Sequence, residues 1–297
     1  MSFSTEVKNE LCRVSMQRAC CTRAEIYGAL LHASVFSHRE IRLSTENAAV
    51  ARRLQALLQR AFFVACKPQR VGRKIQLVIT EAAQIGRIFD ALGYDCKSHV
   101  TYHLNRNVLE EDCCIASFLR GVFLMAGTVA GPDKKNHLEL KTTHQSLSGE
   151  EVSLLLDLGL SPKQMRRGSA YILYFKDGTS VEDFLTRIGA PHAAMELMEA
   201  KVEKNIRNTI NRQVNCETAN LVKAADASAR QIAAIRAVLD THGEEGFPES
   251  LRETVRLRLE YPTDSLAELA QRFEPPISKP GLSHRLKKII ELASKED

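Results

Sequence analysis

The chain has 297 residues, with 41 Lys/Arg, 36 Asp/Glu and a formal net charge of +5. Its 44% hydrophobic and 26% charged residues are the balance of a folded globular protein of two or three domains, which excludes a mostly disordered or fibrous chain. Trp is absent and aromatics are only 6%, which argues against base stacking on aromatic platforms, and no apolar run reaches the ~18 residues of a membrane span.

At the N-terminus, Phe3, Val7, Leu11 and Val14 recur at helical spacing among charges, which predicts a short amphipathic helix within residues 1–19 rather than a secretory leader. A cytoplasmic protein is expected. The longest apolar candidate, Phe118–Gly131, is interrupted by Arg120. From residue 20 onward the chain repeats itself. Cys20–Ser34 aligns with Cys113–Gly127 at a constant offset of 93, with identities at Cys20/Cys113, Cys21/Cys114, Gly28/Gly121, Leu31/Leu124 and Ala33/Ala126. Each segment reads as a mainly apolar helix with a glycine at its centre, which lets it approach a partner backbone closely.

The two copies continue in parallel. Ile41–Thr45 and Leu138–Thr142 alternate as half-buried strands, and helices are expected over Asn47–Gln59 and Ser148–Leu158. Lys74–Thr80 and Ser169–Lys176 are rich in β-branched or aromatic residues, as strands are. Each copy closes with a helix running to a glycine, Gly93 or Gly189, that suits a C-cap. The pattern predicts an α+β architecture: two αββαβα units, residues 20–100 and 101–195, packed about a pseudo-twofold axis as one domain.

Charge is uneven along the chain. Residues 1–100 hold 15 Lys/Arg against 8 Asp/Glu, residues 101–200 hold 10 against 13, and residues 201–297 hold 16 against 15. Each repeat has a basic segment before its last strand: Lys67, Arg70, Arg73 and Lys74, then Lys163, Arg166 and Arg167. Such segments could contact phosphates or could be solvated hairpin loops, and both readings stand on the sequence alone.

Residues 196–223 are polar and Asn-rich, with a plausible helical stretch, and read as a linker with a boundary near Asn215–Ala219. A helical domain is expected over 224–297. Ala224–Leu239 has helical apolar spacing ended by Gly243 and Gly246, and Leu251–Tyr261 is a helix stopped by Pro262. Ser265 and Glu268 have the spacing of a capping box that opens a helix. After the turn at Glu274, Pro275 and Pro276, Ser278 caps the next helix, with Pro280 in its first turn. Two helices joined by a short turn, the second basic on one face, form the helix-turn-helix pattern, here about 264–297. No acid stands between Pro275 and Ile290. Ser283, His284 and Arg285 lie where a recognition helix reads bases, Arg285 foremost, while Lys279, Lys287 and Lys288 suit phosphates.

Eight cysteines, at 12, 20, 21, 66, 96, 113, 114 and 216, are expected as thiols. Adjacent cysteines point apart, unlike the C-x₂-C spacing of zinc sites, so each pair is expected to start a helix with one thiol buried, and neither a metal nor a cofactor is expected. His99 and His103, at i and i+4, lack a nearby acidic partner. The sequence offers neither a phosphate-binding Gly-rich loop nor a recognisable nucleophile motif.

Tyr27–Ser34 and Leu119–Gly127 resemble degenerate LAGLIDADG helices, the paired central helices of homing endonucleases. Together with MSFSTEVKNEL at the start, the two Cys-Cys pairs and Asn215–Asn220, they make the chain similar over essentially its whole length to the WhiA family of bacterial regulators. The acidic residues with which LAGLIDADG nucleases hold a divalent cation map onto Ala33 and Ala126, whose methyl groups cannot coordinate one, and Glu25, Glu46, Asp133 and Glu139 do not stand at the matching positions. The resemblance therefore implies a DNA-binding regulator that is not an enzyme, with double-stranded DNA as partner, a sigma factor or another regulator as a further partner, a nucleoid-associated location, and a role in cell division, chromosome segregation or sporulation genes. The turn departs from the helix-turn-helix pattern in having Glu274, Pro275 and Pro276 where many such motifs have a glycine. Two other classes remain: a residual endonuclease using displaced acids, and a protein-docking factor whose duplicated domain binds a partner.

Overall fold

The computed structural model describes residues 2–95 and 103–294, so Cys96 and His99 lie outside the described residues. The chain divides into two compact units, Met1–Lys204 and Asn205–Asp297. Among the described residues, no helix is long and apolar enough to cross a membrane.

The first unit opens with α1 (Phe3–Leu11), capped by the Ser2 side chain, which accepts from the Thr5 backbone N–H. Val7 and Leu11 are fully buried, as their spacing predicts. Repeat 1 then runs α2 (Ala19–Leu31), β1 (Val35–Phe36), β2 (Ile41–Thr45), α3 (Ala48–Phe62), β3 (Gln69–Val71), β4 (Lys74–Ile79) and α4 (Ala82–Leu92). Repeat 2 has the same order: α5 (Asp112–Ala126), β5 (Gly127–Val129), β6 (Leu138–Thr142), α6 (Gln145–Asp157), β7 (Lys163–Arg167), β8 (Ala170–Phe175) and α7 (Gly178–Ile188). Each repeat builds an antiparallel four-stranded sheet, β1-β2-β4-β3 or β5-β6-β8-β7. Ile41, Leu43, Leu77 and Ile79 point from one sheet into the helical core, and Leu138, Leu140, Leu173 and Phe175 do so from the other. Gly93 and Gly189 end α4 and α7 with φ of 74° and 98°, the left-handed C-caps expected.

Each unit is αββαββα, one strand more than the αββαβα expected. The extra strands fall in the basic segments: β7 holds Lys163, Arg166 and Arg167, and β3 holds Arg70, with Arg73 in the turn after it and Lys74 opening β4. Every residue in them is exposed, so they carry no hydrophobic alternation to mark them as strands. Their hairpins turn over two residues, with Gly72 and Gly168 at φ of 61° and 62°. Lys and Arg along such an edge also deter pairing with another chain.

α2 and α5 cross at their glycines. A Cβ on Gly28 would lie 2.2 Å from the Phe118 carbonyl oxygen, and one on Gly121 would lie 1.9 Å from the Glu25 carbonyl oxygen. The two contacts are images of each other under the offset of 93, as a pseudo-twofold requires. Matching positions face each other along both helices, so the two run in the same direction, with N-termini together at one end and C-termini at the other.

Beside this crossing lies a buried ionic knot. Both nitrogens of one edge of the Arg53 guanidinium donate to the Glu25 carboxylate, Nη2 to Oε2 at 2.7 Å, while Arg120 Nε donates to Oε2 at 3.0 Å. The remaining donors are used: Arg53 Nη1 on the Val14 carbonyl (2.7 Å), Arg120 Nη1 on the Ile188 carbonyl (2.7 Å), and Arg120 Nη2 on Ser117 Oγ (2.9 Å). A buried charge persists only when paired and hydrogen-bonded in this way. One carboxylate thus joins α2, α3, α5, the segment after α1 and the end of α7.

A second buried pair is neutral. His32 Nδ1 donates to the Gly28 carbonyl at 3.1 Å, which leaves Nε2 facing Glu151 Oε1 at 3.3 Å. Burial, followed by the nearby Glu150 charge, pushes the Glu151 carboxyl up to about 8, and burial pulls His32 down to about 4. At neutral pH the acid holds its proton and the imidazole has none to spare.

The second unit takes in the rest of α8 (Pro191–His242), so the segment 196–223 expected as a linker is helical throughout. It continues with α9 (Glu249–Glu260), α10 (Leu266–Gln271) and α11 (Lys279–Ala293). Ile235, Val238, Phe247, Leu251, Leu269, Phe273, Leu282, Leu286 and Ile289 form its own core.

Two measurements test this packing. Gly28→Ala or Gly121→Ala should each cost about 3 kcal/mol in urea unfolding of the full chain, because backbone and not a flexible side chain must give way. Gly86→Ala, also in a helix but with nothing within 4 Å of the added carbon, should be neutral or stabilising by up to about 1 kcal/mol. For Glu151, the folded chain keeps a proton that the unfolded chain loses above about 4.5, so its contribution falls as pH rises and is lost through about 8. His32 acts in the opposite sense between about 4 and 6.5, so Glu151 acts alone from about 6.5 to 8. Melting scans over that window should show parental stability declining by up to about 1.4 kcal/mol per pH unit, and Glu151→Gln should flatten the decline.

Candidate nucleic-acid interface

The second unit presents α11. Ser278 caps it by accepting from the Gly281 N–H at 3.2 Å, and Pro280 sits in the first turn. α10 begins with the expected capping box: the Glu268 N–H donates to Ser265 Oγ, and the Ser265 N–H donates to the Glu268 carboxylate at 2.8 Å. The turn between them contains a cis Glu274–Pro275 peptide, and the Ile277 N–H donates to the Ala270 carbonyl at 3.1 Å. Leu282, Leu286 and Ile289 anchor one face of α11 in the core. The opposite face is solvated: Lys279, Ser283 and Lys287 recur every four residues, flanked by His284 and Lys288, all exposed. Lys287 lies 3.9 Å from Glu291, an exposed pair of little energetic weight.

Arg285 differs from its neighbours. It is half-buried, with its guanidinium 5.4 Å from the centre of the Phe273 ring. Its position in the sequence places it first among base-reading groups. The structure puts Ser283, His284 and Lys287 on the open face and Arg285 beside them, packed against Phe273 in the turn after α10.

In the first unit, strand alternation sorts the basic residues onto two faces. Arg42, Ser44, Lys74 and Gln76 share the face of the first sheet turned away from the helices, and Lys141, Lys163, Met165 and Arg167 share the matching face of the second. Arg70 and Arg166 project to the other side, in register with Ile75 and Tyr171. Arg166 packs over the Tyr171 ring and donates to the Gly168 carbonyl. Arg73 stands in the hairpin turn and Lys67 precedes β3, both exposed. The sequence points to these seven without separating the faces, and it misses Arg42 and Lys141, whose strand positions become meaningful only with the register. Arg42 is paired with Glu40, and Glu139 on the second sheet accepts from His137 at 2.6 Å.

The C-terminal ends of α2 and α5 open into a cavity of about 330 Å³ lined by Ala33, Ala126, His32, Ser34, Lys141 and His144, among others. Among the described residues, no carboxylate lines it. Of the four candidate acids, Glu25 is buried between two arginines, Glu46 and Asp133 are exposed elsewhere, and Glu139 is on the outer sheet face. The arrangement offers cations and hydroxyls where a hydrolytic metal site would need hard anionic oxygens.

The expectation that adjacent cysteines stay apart is corrected by the packing. The sulfurs of Cys20, Cys21, Cys113 and Cys114 all lie within 4.8 Å of one another. Each pair does start a helix and Cys114 is buried, but the spacing rule applies to one pair at a time, and the helix crossing brings both pairs to one place.

Comparison with known proteins agrees with both units. Residues 115–207 match the model of the WhiA LAGLIDADG-like domain, and residues 210–293 match that of the WhiA C-terminal HTH domain. The chain is 37% identical over 308 residues to a "Probable cell division protein WhiA" of Ruminiclostridium cellulolyticum, covering 99% of this chain and 98% of the relative. A protein with the same description from Alkaliphilus metalliredigens is also 37% identical, covering 100% and 98%. The crystal structure of full-length DUF199/WhiA from Thermatoga maritima has the same fold, with a TM-score of 0.62 at 24% identity over 99% of both chains. With two duplicated sheet units built around glycine-crossed helices, a capped C-terminal helix pair and relatives matched from end to end, this chain belongs to the WhiA family.

Proposed function

We propose that the chain is a sequence-specific regulator of double-stranded DNA, read by α11, that acts in cell division and chromosome segregation and, in sporulating bacteria, in sporulation genes. The observation that carries this reading is the open face of α11, in which Lys279, Ser283, His284, Lys287 and Lys288 form one acid-poor surface on a helix fixed by its Ser278 cap and its apolar anchors. A helix so presented suits the major groove, with Ser283 and His284 toward base edges and the lysines toward phosphates. The helix-turn-helix family match and the description of the relatives as cell division proteins support the same reading.

The duplicated domain serves as a second, non-cutting DNA surface in this proposal. Lys74 on one outer sheet face and Lys141, Lys163 and Arg167 on the other supply phosphate contacts, with Arg70, Arg73, Arg166 and Lys67 at their margins. Ala33 and Ala126 supply no metal ligand, so the regulator is not a nuclease. A sigma factor or other regulator as protein partner, and association with the nucleoid, belong to the same reading.

The test is selection of genomic fragments by the full chain, with affinities measured across a salt series. His284→Ala with Lys287→Ala should lower affinity for selected sites by ~10–100-fold and erase their enrichment. Lys163→Ala with Arg167→Ala should keep the enrichment and make the salt dependence shallower, by about 0.9 in the logarithmic slope for each phosphate no longer neutralised. Selected sites incubated with Mg²⁺ should stay uncut. Unchanged enrichment in the α11 variant would overturn the assignment of the reader helix, and nicking would overturn the non-nuclease reading.

A further inference from the structure

The four thiols are the densest set of soft ligand atoms among the described residues. Cys20 and Cys21 are the second and third residues of α2, and Cys113 and Cys114 hold the same positions in α5. The pseudo-twofold that crosses the helices at Gly28 and Gly121 brings these two first turns face to face. Two adjacent cysteines on one helix are a poor chelate by themselves. Two such pairs on helices related by a twofold supply four sulfurs around one point, two from each side.

The dimensions fit a single ion. Zinc bound by four thiolates at about 2.3 Å sets tetrahedral sulfur–sulfur edges near 3.8 Å. Here Cys20 Sγ and Cys21 Sγ are 4.0 Å apart, and all four sulfurs lie within 4.8 Å of one another, so small side-chain rotations bring them onto the tetrahedron. An iron–sulfur cluster distributes its four thiolates over two or more irons and sulfides and needs a wider frame. The tetrahedral all-sulfur donor set selects zinc over hard cations.

Positive charge stands beside the sulfurs. Both pairs sit in the first turn of a helix, where unpaired backbone N–H groups and the helix dipole stabilise negative charge. Arg18, at the N-cap of α2, reaches across to the other repeat, its Nη1 3.6 Å from Cys113 Sγ. Four thiolates around Zn²⁺ carry a net charge of −2, which Arg18 and the two helix ends partly offset. Loading releases the thiol protons to solvent, as metal binding by cysteine requires.

We propose that Cys20, Cys21, Cys113 and Cys114 form a structural site for one Zn²⁺ ion that ties the N-terminal ends of α2 and α5, and so the two repeats, together. All four positions are then protein ligands, which makes the site closed and non-catalytic. It lies at the opposite end of the paired helices from Ala33 and Ala126 and is unrelated to the cation site of nucleases.

The experiment is elemental analysis of the full-length chain purified with reductant and without chelator. One zinc per chain is expected, released on titration with a mercurial thiol reagent as four thiols react. Cys20→Ser and Cys113→Ser should each reduce the zinc content at least fivefold, while Cys216→Ser, in the other unit, should leave it at one. Replacement by Co²⁺ should give the visible bands of a tetrahedral thiolate site, a readout on the parental chain that holds if the variants fold poorly. The proposal is overturned if the folded chain has no zinc and four freely reactive thiols after zinc addition and dialysis. It is equally overturned if peptide mapping finds Cys20 or Cys21 disulfide-bonded to Cys113 or Cys114, or if the metal found is iron with inorganic sulfide.

Discussion

The architecture depends on two helices touching backbone to backbone. At Gly28 and Gly121 neither helix can carry a side chain, because the space where a Cβ would stand is filled by the partner's carbonyl oxygen. Contact this close fixes the helix crossing, and the crossing fixes everything attached to it. Each sheet continues directly from the C-terminal end of its helix, through β1 after α2 and β5 after α5, so the two sheets inherit the twofold relation of the helices. The basic outer faces of the two sheets are matched for the same reason.

The same constraint gives the helix pair two chemically different ends. At the N-terminal end the geometry gathers thiols and an arginine. At the C-terminal end it gathers small residues, hydroxyls, His32, His144 and Lys141 around a cavity. His32 reaches back to the Gly28 carbonyl, so even the chemistry at that end is moored to the crossing. The frame is common to both ends, while the identity of the side chains at the helix ends decides what each end can do.

Much of this frame was legible in the residues. The offset of 93, the central glycines, the alternating strands and the terminal glycines with positive φ all describe local periodicity or local backbone demand, and they reappear in the structure. So do the Ser265–Glu268 box and the Ser278 cap. Most of the features that escaped depend on information that no single segment holds. β3 and β7 lack a buried face, so their strand character comes only from the neighbour they pair with. Residues 196–223 are polar and Asn-rich and read as linker, although Met198, Val202, Ile206, Ile210 and Val214 recur every four residues, as on one face of a helix. The ring beside Arg285 belongs to Phe273 in the turn after α10, a neighbour that the spacing within α11 does not reveal. The cysteine quartet was half visible: the repeat alignment contained both pairs at equivalent positions, and only the direction of the helix packing was needed to bring them together.

The knot around Glu25 adds a consequence for pairing. Under the repeat offset, Glu25 corresponds to Phe118 and Arg120 corresponds to Tyr27, so this part of the interface is not symmetric. If two first repeats were to pair, two Glu25 carboxylates would enter the centre without Arg120. If two second repeats were to pair, two Arg120 side chains would arrive without Glu25. Pairing two second repeats would bury two guanidinium groups without a carboxylate, at a cost of several kcal/mol, while two first repeats would keep each Glu25–Arg53 pair and lose the Arg120 contact. The two halves are therefore not interchangeable at this interface. The fusion holds together two unlike surfaces that complement each other at the Glu25 knot.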